Sequence, residues 1–474
     1  MGSSYDAIVV GSGPNGLSAA ITLAQAGWSV LVREAEEAIG GGARSAELTL
    51  PGFIHDECSA IHPFVPGSPF LRSLPLADHG LEMVESPAAV AHPLDDGTAV
   101  VLTRSLDETA AGLGHDGEPY ARLFRRLVDE WPRLEEAVLA PLVSVPRHPV
   151  ALARFGLPAL RSAVGLARAA FDGERARALL GGSAAHSMLP LDRSPSAAFA
   201  FVLHAIAHRV GWPFPRGGAQ AIADALVSYL RSLGGEIEAD APVRSLDELP
   251  RARAVLLDLT PRQVLAIAGD RLPSDYRRKL TRFRYGPGAF KVDFALDGPI
   301  PWTATECSRA ATVHVAGRLA ELVASERSPW EGRHAERPFV LLAQHTLFDP
   351  TRAPEGKHTA WAYCHVPHGS SFDMTERIER QIERFAPGFR DRILARSVMG
   401  PAGLENRNAN LVGGDLNGGA HGLRQMLARP TVLMPYSARA PGLFLCSAST
   451  PPGGGVHGMC GHLAARAALR ARGR

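Results

Sequence analysis

The chain has 474 residues, 46% of them apolar, and a net charge of +2. That is enough chain for two or more domains with substantial cores, and a charge so close to zero gives no electrostatic basis for binding nucleic acid. Its five cysteines (Cys58, Cys307, Cys364, Cys446 and Cys460) are scattered without a CxxC pair, which excludes a redox-active dithiol and argues against a disulfide framework or a metal site.

The first 34 residues carry the most information. An apolar run, Ala7 to Val10, leads into Gly11-Ser12-Gly13-Pro14-Asn15-Gly16, then an apolar-periodic stretch to Gly27, then a second apolar run ending at Arg33-Glu34. Strand, glycine turn, helix and strand, closed by an acid, is the pattern that binds a dinucleotide. Gly11 permits the tight turn, Gly13 lets a pyrophosphate approach the backbone, and Gly16 lets helix and strand pack. The helix N-terminus offers N–H groups to the phosphates, and Glu34 can accept from ribose hydroxyls. The motif alone does not distinguish FAD from NAD. A second glycine cluster, Gly40-Gly41-Gly42-Ala43-Arg44, follows at once, and Arg44 brings a charge suited to the pyrophosphate.

Asp95-Asp96-Gly97-Thr98 between apolar runs predicts a hairpin. Residues 118–143 have helical periodicity. Arg147, Arg154, Arg161 and Arg168 recur every seven residues with no acid between them. They predict a basic stripe on an apolar helix, broken or kinked at Gly156-Leu157-Pro158, that suits either a solvated lid or a membrane surface. Helices are expected near 173–186, 194–209 and 219–233. Strands follow at 236–240 and 254–259, so an α/β pattern resumes after a long insertion. Residues 288–297, 339–342 and 359–366 read as strands of a second sheet, and 374–385 as a helix. Near the end, a buried-type strand at 442–446 runs into SASTPPGGGVHGMCG and a final alanine-rich helix, repeating the opening architecture.

GSGPNG, GGGAR, the PRGG segment at 215–218 and PGLFLCSASTPPGGGVHG together resemble the phytoene-desaturase-like flavoproteins over the whole chain. These are FAD-dependent carotenoid desaturases and isomerases, retinol saturases and related proteins. ALDGPIPW (295–302), FDPTRAPEGKHTAWAYCHVP (348–367) and NLVGGDLNGG (410–419) resemble the sub-group of pyridine-nucleotide-disulphide-oxidoreductase-domain proteins. The flavin amine oxidases are similar more distantly. The resemblance implies an α/β fold: a discontinuous Rossmann-type FAD-binding domain of the amine-oxidase-like kind, with an inserted mixed-sheet substrate domain and a helical lid. The segments it implies are 1–75, 211–272 and 406–474 for FAD, and 76–210 and 273–405 for substrate. It also implies non-covalent FAD, held by Gly11, Gly13, Pro14, Asn15, Gly16, Glu34, Ala35, Gly41, Gly42, Ala43, Arg44 and Val243. At the C-terminus the contacts fall on Ala448, Ser449, Gly455, Val456 and His457, although Ser447 and Ala448 stand where the family has glycines.

Three residues are candidates for the chemistry. Lys291 lies on a strand that carries a flavin-proximal lysine in the amine oxidases, with Asp293 on the same face as a partner. His457, in the glycine loop, is a possible acid, base or hydrogen-bond donor, and Asp415, in GGDLNGG, could orient its loop beside the ring. His55 and His62 follow the GGGAR loop. Cys460 raises the question of covalent attachment, but its surroundings do not match those of the cysteine-linked amine oxidases. The expected activity is desaturation, saturation or isomerisation of an apolar, isoprenoid- or polyene-like substrate, with oxygen or a quinone as acceptor. The alternatives are an amine or amino-acid oxidase and a flavin-bearing interaction protein without turnover. With no leader ahead of the first strand and no run of roughly 18 apolar residues, a cytoplasmic protein is expected, with possible peripheral membrane contact through 147–170.

Overall fold

The computed structural model describes residues 4–141 and 146–471. The opening run forms the strand Tyr5–Val10, followed by the helix Pro14–Gln25 and the strand Val30–Arg33. Ala7 pairs in parallel with Val30 on one side and with Ala254, of strand Ala252–Leu257, on the other. Leu443–Leu445 and Glu236–Glu238 complete a five-stranded parallel sheet as its edges. Central parallel strands are covered on both faces, so they need near-continuous apolar side chains. Ala7 to Val10 and Val30 to Val32 supply them, all buried. The sheet is therefore assembled from widely separated parts of the chain, in the discontinuous arrangement expected. The last helix, Met459–Ala471, crosses the opening helix so closely that a Cβ on Gly461 would lie 1.8 Å from the Asn15 carbonyl oxygen. That crossing brings the C-terminal glycine loop beside the first turn.

The second sheet has seven strands in the order Ile393–Met399, Gly288–Leu296, His358–Val366, Val340–Ala343, Ala310–Val315, Ala88–Pro93 and Ala99–Leu102. Neighbours are antiparallel except Ala310–Val315 with Ala88–Pro93. Alternation along Gly288–Leu296 sends Phe290, Val292 and Phe294 into a cluster with Ile378, Ile382 and Phe385 of the helix Thr375–Phe385. The other face joins a helical cluster through Ala289, Leu341, Trp361 and Tyr363.

That helical cluster corrects two expectations. The helix expected over 118–143 spans Gly117–Val138, and Leu142 and Val143 lie outside the described residues. The expected break in the arginine-striped segment is present, but it falls just after Gly156-Leu157-Pro158 and not at those residues. Pro149–Ala159 runs through those residues, and the chain then turns by 95° into Ala163–Ala170. The break falls where Ser162 caps the new helix, its hydroxyl accepting from the Gly165 N–H at 3.1 Å. The missing acids come from the preceding long helix: Arg147 pairs with Glu136 at 2.9 Å and Arg154 with Glu130 at 3.2 Å. Among the described residues no single helix is long and apolar enough to cross a membrane.

Candidate functional site

A cavity of about 690 Å³ runs from the glycine turn, past the junction of the two sheets, to the helical cluster. Of the expected cofactor residues, Gly11, Gly13, Pro14, Asn15, Glu34, Ala35, Gly41, Gly42, Arg44, Val243, Ala448, Gly455, Val456 and His457 line it. Gly16, Ala43, Ser449, Lys291 and Asp415 stand behind its wall.

The glycine end is built from backbone. A Cβ on Gly16 would meet the Gly11 carbonyl oxygen at 2.1 Å, so any other residue there must push the turn open. The helix begins at Pro14 with no cap from its own N-cap residue and no acid of its own in the first turn, so its positive end is available to a ligand apart from the Gly16 N–H. The backbone N–H groups and positive helix end fit a pyrophosphate, with one side chain, Asp258, set against the Gly16 N–H. Glu34, at the end of the second strand, accepts from the Ser12 N–H at 2.8 Å, the Ser12 hydroxyl at 2.5 Å and the Glu36 N–H at 3.0 Å. The acid is thereby fixed at the wall. Arg44 is buried, donates to the Arg407 carbonyl at 2.5 Å and pairs with Glu57 at 3.1 Å, while its Nε has no partner.

Asp258 is a further wall residue at this end that the sequence reading missed. It follows the strand Ala252–Leu257 and accepts from the Gly16 N–H at 2.9 Å. Burial lifts its carboxyl to about 7 against that hydrogen bond, with the Glu34 charge adding to the rise. Its signal was available: Asp258 closes an apolar run just as Glu34 does.

The three candidates for chemistry are held differently. Lys291 is buried and ion-paired with Asp293, close enough to bias the ionisation of His55 and Cys58. Burial lifts Asp293 to about 6 even beside that ammonium. Asp415 accepts from the Gly286 N–H at 2.7 Å and the Asn417 N–H at 2.8 Å, so it fixes two loops. His457 reaches the cavity, but its Nδ1 accepts from the Met459 N–H at 3.0 Å, and its Nε2 therefore donates to the Gly453 carbonyl at 3.2 Å. Burial lowers its pKa to about 4, so the ring is neutral. Cys460 is a buried thiol, pushed up to about 11 by burial, whose Sγ contacts the Thr450 and Gly453 carbonyls at 3.4 Å.

The far end is walled by side chains from distant segments: Phe155, Phe199 and Leu203 from the helices, Trp212, and Trp361 and Tyr363 from the mixed sheet. His62, His186 and His421 interrupt it, each lowered to about 3 by burial and therefore neutral. His55 is buried behind the wall, 3.7 Å from Asp293, and is likewise lowered to about 3 by burial. Arg429 is a cation on the cavity wall beside the C-terminal glycine loop. No sequence signal marks it, because it sits in a loop outside any motif. Among the described residues, no group of three or more His, Cys, Asp or Glu is placed to hold a metal ion.

Residues 6–268 match the family model of the FAD dependent oxidoreductases. The chain is 26% identical to the rat (Rattus norvegicus) pyridine nucleotide-disulfide oxidoreductase domain-containing protein 2, over 98% of this chain and 93% of the relative. It is also 26% identical to the phytoene dehydrogenase of Streptomyces griseus, over 82% of this chain and 77% of that one. Among solved structures it resembles a putrescine oxidase bound to putrescine, with a TM-score of 0.65, 18% identity and full coverage of both chains. That last likeness is one of fold.

Proposed function

The chain belongs to the FAD-dependent oxidoreductase family, and we propose that it desaturates, saturates or isomerises carbon–carbon bonds of an apolar, isoprenoid- or polyene-like substrate. When bound, FAD supplies a two-electron acceptor or donor. The protein's own residues bind it, orient the substrate and exclude water. The observation that carries the reading is the wall of the far end. Phe155, Phe199, Leu203 and Trp212 make it apolar, its histidines are neutral, and the acids lining the cavity (Glu34, Glu36 and Asp258) all belong to the glycine end. An ammonium substrate at the far end would meet no carboxylate among the described residues.

Amine oxidation is the second reading. It is favoured by Trp361 and Tyr363, which meet edge to face at the cavity wall with ring centroids 5.1 Å apart, a pair able to hold a cation or neutral amine by its π faces. The test is anaerobic bleaching of bound FAD with two panels, polyene or isoprenoid hydrocarbons and primary amines. Bleaching by the hydrocarbons is expected. Bleaching by amines alone, with peroxide released in air, would reverse the order of the two readings.

We also propose peripheral membrane contact through 147–170. Val150, Leu157 and Leu160 are exposed there, while the pairing of Arg147 and Arg154 with acids shifts the basis of that contact from charge to apolar area. Co-sedimentation with neutral vesicles, abolished by Leu157→Glu, is the expected result.

A further inference from the structure

We infer that Arg429 is the cation that meets the redox end of bound FAD and holds the negative charge the cofactor gains on reduction. The inference rests on the assignment of FAD and not on the identity of the substrate. Arg429 lines the cavity and is 2% exposed. Its Nη2 donates to the carbonyls of Asn417 at 2.7 Å and Gly419 at 3.3 Å, and the Phe283 ring lies 6.0 Å from the guanidinium carbon. Its Nε and Nη1 are buried with no hydrogen-bond partner. Among the described residues no carboxylate lies at ion-pair distance from it. Asp415, the acid whose field reaches it, has both oxygens on backbone N–H groups. A buried guanidinium with two unused donors is costly unless a ligand completes it.

The geometry says which part of the ligand does so. Glu34 and Val243 mark the adenosine end of a dinucleotide, and the turn at Gly11–Gly16 its pyrophosphate. Arg429 lines the same cavity against the C-terminal glycine loop, where a Cβ on Gly453 would stand 3.7 Å from Nη1. The remaining portions of FAD are the ribityl chain and the isoalloxazine, and only the isoalloxazine takes up charge. A hydride delivered to it adds two electrons and one proton, and leaves one negative charge on the N1–C2 edge of the pyrimidine ring. The other ionisable groups facing Arg429 do not supply a countercharge. His421 and His457 are neutral, Cys460 is a thiol, and Asp415 would oppose the anion. A fixed, desolvated cation there favours the reduced state without reorganisation.

The test uses FAD-loaded wild type, Arg429→Lys and Arg429→Gln, with sulfite as probe. Sulfite adds to oxidised flavin and places a negative charge on the same edge. Arg429→Gln is expected to weaken sulfite at least tenfold and to shift the reduction equilibrium tenfold toward oxidised flavin, about 30 mV for a two-electron couple. Arg429→Lys is expected to retain most of both. Wild-type values in Arg429→Gln overturn the inference. So does a variant that loses only competition by a long-chain carboxylic acid, which would make Arg429 a substrate anchor. If the variants lose FAD, photoreduction of the wild type at pH 5.5, where free reduced flavin is neutral, decides: an anionic reduced-flavin spectrum is expected, and a neutral one overturns the inference. Wild type that cannot be loaded with FAD overturns the cofactor assignment beneath it, a separate failure.

Discussion

Arg352 and Arg429 are both buried guanidinium groups, and the protein treats them in opposite ways. Arg352 is completed by Asp56 at 2.7 Å, Asp349 at 3.1 Å and the Pro215 carbonyl at 2.7 Å. Burial alone would raise Asp56, but Arg352, His345, the Ala219 N–H and the Ser45 hydroxyl outweigh it and hold that carboxyl below the usual range. The cluster ties the strands Ser45–Glu47 and Ile54–Asp56, the Gly217 turn and the turn at Asp349 into one joint. Arg429 has carbonyls for two of its contacts and cavity for the rest. Asp56 and Asp258 repeat the contrast with opposite sign, one held ionised by partners and the other pushed to about 7 by burial beside the glycine turn. Paired charge marks joints between chain segments; open charge marks where a ligand is expected.

The largest test of that contrast is Arg352→Met. It strands Asp56 and Asp349, and is expected to cost roughly 3–5 kcal/mol in urea denaturation. Arg429→Met in the cofactor-free protein is expected to cost far less, because it removes a charge that has no countercharge. Equal losses would erase the distinction. Asp258→Asn comes next. The folded pKa of Asp258 is raised, so its contribution is intact below about 4, the unfolded value, and is lost as pH rises through about 7. The amide keeps an acceptor for the Gly16 N–H, so the variant is expected to match wild type at pH 4 and to gain up to about 4 kcal/mol by pH 8. Wild-type FAD affinity is expected to fall above pH 7, where the ionised carboxyl faces the pyrophosphate, and the variant's affinity to stay level. Gly16→Ala is smaller. Its Cβ would press on the Gly11 carbonyl, costing roughly 1–3 kcal/mol and reducing FAD retention on gel filtration.

The two ends of the cavity differ as much in legibility as in chemistry. The glycine end could be read because backbone builds it, and backbone needs are written locally: Gly11, Gly13 and Gly16 in one turn, Glu34 at the end of the next strand. The five-stranded sheet was legible for the same reason, since each of its strands is a short apolar run with punctuation. The far end was not. Phe155, Trp212 and Trp361 come from three separate segments, and Arg429 beside the glycine loop from a fourth; nothing in their local sequence says that they line one cavity. The arginine stripe misled because periodicity reports a helix and not its turns: Ser162 restarts the chain at 95°, and the acids that pair with Arg147 and Arg154 lie on a helix more than ten residues earlier.

Lys291 offers the finest test, because it stands between the two kinds of charge. Its partner Asp293 is raised to about 6, so that carboxyl, like Asp258, contributes fully below about 4 and loses its contribution as pH rises through about 6. Lys291→Met removes the cation that keeps Asp293 from rising further. Little stability should be lost at pH 5, where the acid carries its proton with or without the lysine. Above pH 6 the gap from wild type should widen by at most about 1.4 kcal/mol per pH unit. The rate of anaerobic FAD reduction, measured at pH 5.5 where both proteins are intact, separates the lysine's two possible roles. A rate within a few-fold of wild type would make the pair a support behind the wall, akin to Arg352 and Asp56. A hundredfold loss there, with stability unchanged, would mean the ammonium acts on the cavity and belongs with Arg429 instead.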